Sequence, residues 1–521
     1  MKFTPFSVVV RFWVRGSLLA LLSSGLLVTH SGGQEITAKD VTDFTSLQKF
    51  AAAMALKPYE APVVKMHPFF DTLQYDGHRT IRFRDDKALY KGVGDTYRLE
   101  FFHPGWMFKK TVQLHDMGLD GKTKAIPFDP ALFNYGELKL PKDVTYPEGF
   151  TGFRVLAPDS LLKRRFEFMV FLGASYFRAV TTELGYGISA RGVSINTIGG
   201  EPEEFPDFTH FWFQQPTPTD KFFKVLAFLN GPSITGAYEF SAMPGKTTEM
   251  FVKGTLHLRK PVKALGVAPF SSMFWFGENS HPKPLDFRPE VHDSDGLQVE
   301  IKGGPSIWRP LDVSKDLRLS IMEVENLKGF GLAERDRDFR NFEDLEAMYH
   351  RRPAVWVEPI KGFEKGAVTL VEIPTGEETW DNVVAFYQPA KLPATPAEPY
   401  DFEYQLSWLE EHLPGTLAKV ISTRRGLVMD SDDHLYVIDF AKGALNPQPP
   451  ADWIPDVDVI VNGGGEAKVL DKRVMLNPET KGWRAFFKLD IPDKTNLLEL
   501  TCELKQGDKA ISERWMYQWR R

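Results

Sequence analysis

The chain has 521 residues, with 63 Lys and Arg against 69 Asp and Glu and a formal charge of -6. That balance lacks the basic footprint of a nucleic-acid-binding protein, and 43 % hydrophobic with 25 % charged residues excludes a disordered chain. The length suggests two to four domains. The aromatic load is heavy, 41 Phe, 15 Tyr and 12 Trp. It fits sheet cores, where aromatics are favoured, and also surfaces on which sugar faces stack.

Residues 1–33 read as a secretory signal peptide: Lys2, Arg11 and Arg15, then the apolar run "SLLALLSSGLLV", then "HSGGQ". Arg11 and Arg15 are not adjacent, so this is not a twin-arginine signal. No later segment is long and apolar enough to cross a bilayer, and the mature protein is expected to be soluble and exported. Cys502 is the only cysteine, so no internal disulfide is possible. Its place among Leu498, Leu500 and Leu504 predicts a buried small hydrophobe.

Beyond the signal, "DFTSLQKFAAAMALKPY" spaces Phe44, Leu47, Phe50, Ala51 and Met54 as one face of a helix that a proline closes. Short alternating segments then dominate. "TIRFR", "FEFMVFLGASYF", "LQVEIKG", "DLRLSIMEV" and "AVTLVEI" read as antiparallel strands between Gly, Pro, Asn and Asp clusters. In "FEFMVFLGASYF" strict alternation sets Phe166, Phe168, Val170 and Leu172 on one face. A second helix is predicted at "NFEDLEAMYHRRP", with Asn341 as N-cap and Pro353 past its end. Four prolines in "YQPAKLPATPAEPY" predict a semi-rigid linker over 389–402. Seven short strands, beginning with "YDFEYQLSW", then suggest an immunoglobulin-like sandwich over 403–521.

The segments "YDGHRTIRFRDDKALY", "GFTGFRVLAP", "EFMVFLGASYFRAV", "YGISARGVSINT", "GPSITGAYEF", "SSMFWFGENS", "RPEVHDSDGL", "GFGLAERDRDF" and "VEIPTGEETWDNVVAFYQP" resemble the periplasmic glucan biosynthesis proteins G and D. The signal peptide makes the chain closer to G. The resemblance runs from about residue 38 to the linker and more loosely to the C-terminus. It implies an all-β fold, a large galactose-mutarotase-like β-sandwich over 38–388 followed by the immunoglobulin-like β-sandwich. It also implies β-1,2-glucan as ligand, the inner-membrane glucan synthase as a further partner and the periplasm as location; no cofactor is expected, and whether a second copy of the chain is also a partner is not readable from the sequence.

Some members of that family hydrolyse β-1,2-glucan with inversion; others are regarded as non-catalytic partners of the synthase. An inverting glycosidase needs two carboxyl groups about 6.5–9.5 Å apart, with water between base and sugar. By similarity, Asp381 in "TWDN" matches the acid and Asp293 in "HDSDG" the base. Trp380 would exclude water from Asp381 and Asn382 would orient it. Glu378, Tyr349, Asp295 and Trp275 are expected to bind substrate. On spacing alone other readings stay open. "HDSDG" is equally a tight turn, or an extended stretch in which Asp293 and Asp295 share a face. "WDN" is equally a loop closing onto a sheet. A metal site at His292, Asp293 and Asp295 lacks a completing cluster, so none is expected. An epimerase would need a pair of histidines as acid and base, and none stands out.

Overall fold

Alternating burial along single strands sets the architecture. In Gly482–Asp490 the side chains of Trp483, Ala485, Phe487 and Leu489 are fully buried and those between them less so. Burying each large apolar side chain is worth about 1.5–3 kcal/mol. A one-residue slip would expose the whole row, so the register is fixed. The structure, a computed structural model, describes residues 36–521 apart from 95, 160–163, 199, 281–284, 314, 394, 411–415, 442, 444–449, 451 and 464–465. The predicted signal peptide lies outside the described residues. None of the described helices is long and apolar enough to cross a membrane.

The fold is all-β, and two large sheets carry most of it. A ten-stranded sheet includes Arg98–Phe102, Gly152–Asp159, Arg164–Leu172, Tyr176–Ala179, Leu265–Ser272 and Val383–Pro389. A fifteen-stranded sheet includes Leu327–Ala333, Ala354–Lys361, Tyr400–Leu409, Thr248–Leu258, Ile234–Met243 and Asp207–Gln214. They pack face to face over an aromatic core. Phe153 of the first lies 4.9 Å from Phe211 and 4.7 Å from Phe213 of the second, ring centre to ring centre. A four-stranded sheet, containing His434–Phe440 and Gly482–Asp490, makes a second sandwich with the far end of the fifteen-stranded sheet. There Trp515 meets Tyr436 and Phe487. The long sheet serves both sandwiches because Arg514–Arg520 pairs in parallel with Ser306–Pro310.

That continuity alters the reading of the proline-rich stretch. It crosses from Val383–Pro389 in one large sheet to Tyr400–Leu409 in the other. Tyr400–Leu409, read from sequence as the first strand of the C-terminal sandwich, instead pairs between Thr248–Leu258 and Ala354–Lys361. Its inward row of Phe402, Tyr404, Leu406 and Trp408 enters the large core. Alternation marks a strand but not the sheet it joins.

The N-terminal helix forms as the spacing predicts, over Phe44–Ala55. Asp43 caps it, accepting the Ser46 amide at 2.7 Å, and Phe44, Leu47, Phe50, Ala51 and Ala55 are buried. It lies on the outside of the fifteen-stranded sheet, where Phe50 meets Phe228 at 4.8 Å.

Two local expectations are corrected. The pairing of Gly152–Asp159 with Arg164–Leu172 slips between Val155↔Met169 and Leu156↔Glu167. This bulge at Phe168 buries Phe168 and Met169 together, and Val170 and Leu172 line an open cleft instead of sharing the face of Phe168. The helix predicted from Asn341 is a single turn, Phe339–Phe342, capped by Asp338. Glu343 and Met348 adopt left-handed conformations with φ of 52° and 49°. Between them Asp344 accepts the amides of Glu346 and Ala347. A short acidic side chain bonding its own backbone competes with the helix ladder. Tyr349 therefore begins a short 3₁₀ turn, Tyr349–Arg351.

Candidate active site

One short strand, Phe274–Phe276, brings the two acidic loops together. It pairs with Val291–His292, and the Asp293 amide donates to the Met273 carbonyl at 2.8 Å. Asn382 clamps the other loop to the same strand. Its Oδ1 accepts the Phe274 amide at 2.8 Å, and its Nδ2 donates to the carbonyls of Phe274 and Ile373 at 3.0 and 3.2 Å. Asn382 thus fixes the loop rather than contacting Asp381.

Asp381 lines an open cleft of about 650 Å³. Much of the remaining lining comes from the ten-stranded sheet and its loops: Arg154, Glu167, Tyr176, Arg178 and Tyr186, with Phe102, Met107 and Phe108. Arg154 is paired with Glu100 at 2.5 Å and with Glu167 at 2.8 Å, and the Tyr186 hydroxyl donates to Glu167. An adjoining hollow of about 340 Å³ shares Met107, Phe108, Leu172 and Tyr176, and continues past Lys110, Asp207 and Thr209. Trp380 is 59 % exposed and Asp381 is exposed. The indole therefore does not shield this carboxyl from water, contrary to the reading of "TWDN".

Asp293 is buried, and one Oδ1 accepts the Arg352 guanidinium at 2.5 Å. Burial pushes its carboxyl up to about 6; Arg352 pulls it down, and the nearby Asp381 carboxylate raises it. The two aspartates thus feel each other's charge, and Asp381 also acts on the Tyr176 hydroxyl. Arg352 in turn lies 4.4 Å over the Tyr349 ring. The Tyr349 hydroxyl donates to Glu378 at 2.5 Å. Glu378 takes a two-pronged contact from Arg288 at 2.8 and 2.7 Å, which holds its carboxyl below the usual range. Arg288 also binds Asp286 and Asp344.

The other expected residues divide. Glu378 and Tyr349 are joined to Asp293 through Arg352, and their polar atoms are occupied by protein partners. Trp275 is half-buried against the cluster of Phe276, Phe342 and Tyr349. Asp295 does not share a side with Asp293. Residues 293–295 form a bend, not a strand, and Asp295 enters a half-buried acidic group with Glu334 and Asp336. Gly296 answers to packing rather than to a turn, since a Cβ there would stand 2.2 Å from the Trp308 ring. A pair of histidines does exist, His115 and His210, with ring centres 5.8 Å apart. It stacks with Trp212 next to Phe50 of the N-terminal helix, away from the cleft lining.

Sequence reasoning missed Arg352, Arg178, Arg154, Tyr176 and Tyr186. Tyr176 and Arg178 alternate in "SYFRAV", a pattern that marks one strand face. Arg352 carried no signal, because its partner Asp293 is 59 residues away.

Fold and site define an all-β protein of two sandwiches, with an open cleft lined by rings, guanidinium groups and the Asp381 carboxylate. The family model described as "Periplasmic glucan biosynthesis protein, MdoG" matches residues 42–519. The chain belongs to this family, which is periplasmic and serves glucan biosynthesis.

Proposed function

We propose that this protein is an exported, inverting β-1,2-glucan hydrolase, with Asp381 as general acid and Asp293 as general base. The single observation that carries the reading is that Asp381, on the wall of the open cleft, lies close enough to raise the buried Asp293 through its charge. Two carboxyl groups at one cleft are the minimum for glycoside hydrolysis. A base with a pKa near 6 is ionised at neutral pH yet a better proton acceptor than an ordinary aspartate. Arg352 keeps that carboxylate oriented. The exposed Asp381 is free to meet the glycosidic oxygen, and a polymer lying in the cleft would supply the dry surroundings that Trp380 does not. Tyr176, Tyr186 and Phe108 offer rings for sugar faces, and Arg178 offers donors for hydroxyls.

A second reading, a glucan-binding partner of the synthase without turnover, is favoured by one specific feature. Asp293 is already ion-paired with Arg352, and Glu378 with Arg288. Incubating the mature chain with linear β-1,2-glucan separates the two. New reducing ends, with the α-anomer formed first by NMR, support the hydrolase. Tight binding without new reducing ends from pH 4 to 8 leaves the binding reading in its place.

A further inference from the structure

Two segments outside the acidic loops carry aromatic side chains to the rim of the cleft, "YDGHRT" and "HPGWMF". The first forms the short helix Tyr75–Thr80, where Tyr75, His78 and Arg79 share a face at three- and four-residue spacing. The second follows the strand Arg98–Phe102 of the ten-stranded sheet and carries Met107 and Phe108, which line the cleft.

The rings form a row. The ring centre of Phe108 lies 5.7 Å from that of Trp106, and Trp106 lies 5.3 Å from Tyr75. Exposure rises outward along it: Phe108 and Trp106 are half-buried, and Tyr75 is 54 % exposed. Trp106 has a left-handed backbone, with φ of 54°. A bulky residue adopts that conformation at a cost, and only where its surroundings impose it. Here they do. The amides of Gly105 and Phe108 donate to each other's carbonyls at 2.8 and 2.9 Å, and the Trp106 amide donates to the Phe70 carbonyl at 3.3 Å. The His78 ring packs beside both Trp106 and Phe108, at 6.4 and 6.3 Å, and its Nε2 donates to the His103 carbonyl at 2.8 Å. Gly105 makes room for it, since a Cβ there would stand 2.9 Å from His78 Cδ2. Backbone strain thus holds an indole in line between the cleft and an exposed tyrosine.

The surroundings of the row indicate what covers it. It begins inside the cleft, so a polymer that fills the cleft and continues past Phe108 reaches Trp106 and then Tyr75. Charged groups flank it. Arg79 lies 5.6 Å over the Tyr75 ring and pairs with Asp76 at 3.7 Å, and Lys109 pairs with Asp71 at 2.6 Å. Such charges are depleted from the core of a protein interface. Rings for sugar faces, with exposed donors and acceptors beside them for hydroxyls, suit a polysaccharide.

We propose that Phe108, Trp106 and Tyr75 form an outer glucan-binding track, which takes the stretch of a β-1,2-glucan chain that leaves the cleft, with Arg79 bonding its hydroxyls. The inference rests on the reading of the cleft as a glucan site and not on turnover there. A chain that reaches both parts makes its second contact intramolecularly, which raises overall affinity without any change in the cleft. The track therefore selects long chains over short ones.

The test uses the full mature chain, titrated by calorimetry in the cold, where turnover is slow. The probes are linear β-1,2-linked glucotetraose and, separately, long linear β-1,2-glucan. Wild type should bind the long glucan at least about tenfold more tightly than the tetraose. Tyr75→Ala, an exposed position outside the cleft lining, should lower that ratio at least about fivefold while tetraose affinity stays within about twofold. Trp106→Ala should lower the ratio further. An unchanged ratio in Tyr75→Ala, with the tetraose still bound, overturns the track alone. Equal losses on both probes also overturn it, because the rings would then only support the cleft. Failure of the wild-type chain to bind either probe overturns the glucan reading of the cleft and the track with it.

Discussion

The Arg352 guanidinium sits 2.5 Å from an Asp293 oxygen and 4.4 Å from the centre of the Tyr349 ring. It links the proposed base to the network of Tyr349, Glu378 and Arg288, and its Nε and Nη2 also donate to the Ala347 carbonyl at 3.3 and 3.2 Å. A guanidinium held by a ring face, a carbonyl and a carboxylate has little freedom, and Asp293 inherits that order.

Arg352 is thus a positioning residue for Asp293. In Arg352→Met, kcat should fall at least about tenfold while KM for β-1,2-glucan stays within about threefold, because orientation is used at the transition state. Steady-state kinetics measures this. A rise in KM alone would make Arg352 a substrate contact instead.

Asp381→Asn and Asp293→Asn should each lower the hydrolytic rate by about 10²–10⁴-fold, the usual worth of a general acid or base. Glucan binding should persist in both, since each change keeps the side-chain shape. Reducing-end assays and calorimetry read the two effects separately. Full rate in either variant removes that residue from its role.

Stability should fall on the acid side of neutrality because of His115 and His210. Burial lowers both from the ordinary 6.5 to about 4, and neither nitrogen of His115 has a partner among the described residues. Between these values the unfolded chain binds protons that the folded chain refuses, so stability is full above about 6.5 and declines as pH drops towards 4. For His115 the loss is on the order of 2–3 kcal/mol. Melting curves across that range should show a shallower decline in His115→Phe; parallel profiles would refute the assignment.

Gly296→Ala should destabilise the fold by about 1–3 kcal/mol, the usual effect of overpacking. The added methyl would stand 2.2 Å from Trp308 Cζ2, in the ring that carries Arg335. Urea unfolding measures the loss. No change in midpoint would mean that Trp308 moves aside freely.

The sequence carried the strands whose burial alternates, such as Tyr400–Leu409 and Gly482–Asp490, and the N-terminal helix, because each pattern is set by near neighbours. It failed where one residue breaks the pattern. The bulge at Phe168 reverses a face, and Asp344 bonding its own backbone interrupts a helix whose apolar spacing looked sound. The family and both acidic loops were legible as motifs. That Asp293 faces Arg352 while Asp295 turns into a cluster with Glu334 and Asp336 was not, since the residues that separate them arrive from 40 to 59 positions away.

The sequence by itself therefore determined the all-β class, the family and the acidic residues near the cleft, all of which rest on local periodicity or contiguous motifs. Tertiary structure alone decided that one sheet runs through both sandwiches, that the charge of Asp381 reaches the buried Asp293, and that Glu290 and Glu334 close on His292. Those outcomes depend on which strands pair and on long-range burial of charge, and no spacing along the chain encodes either.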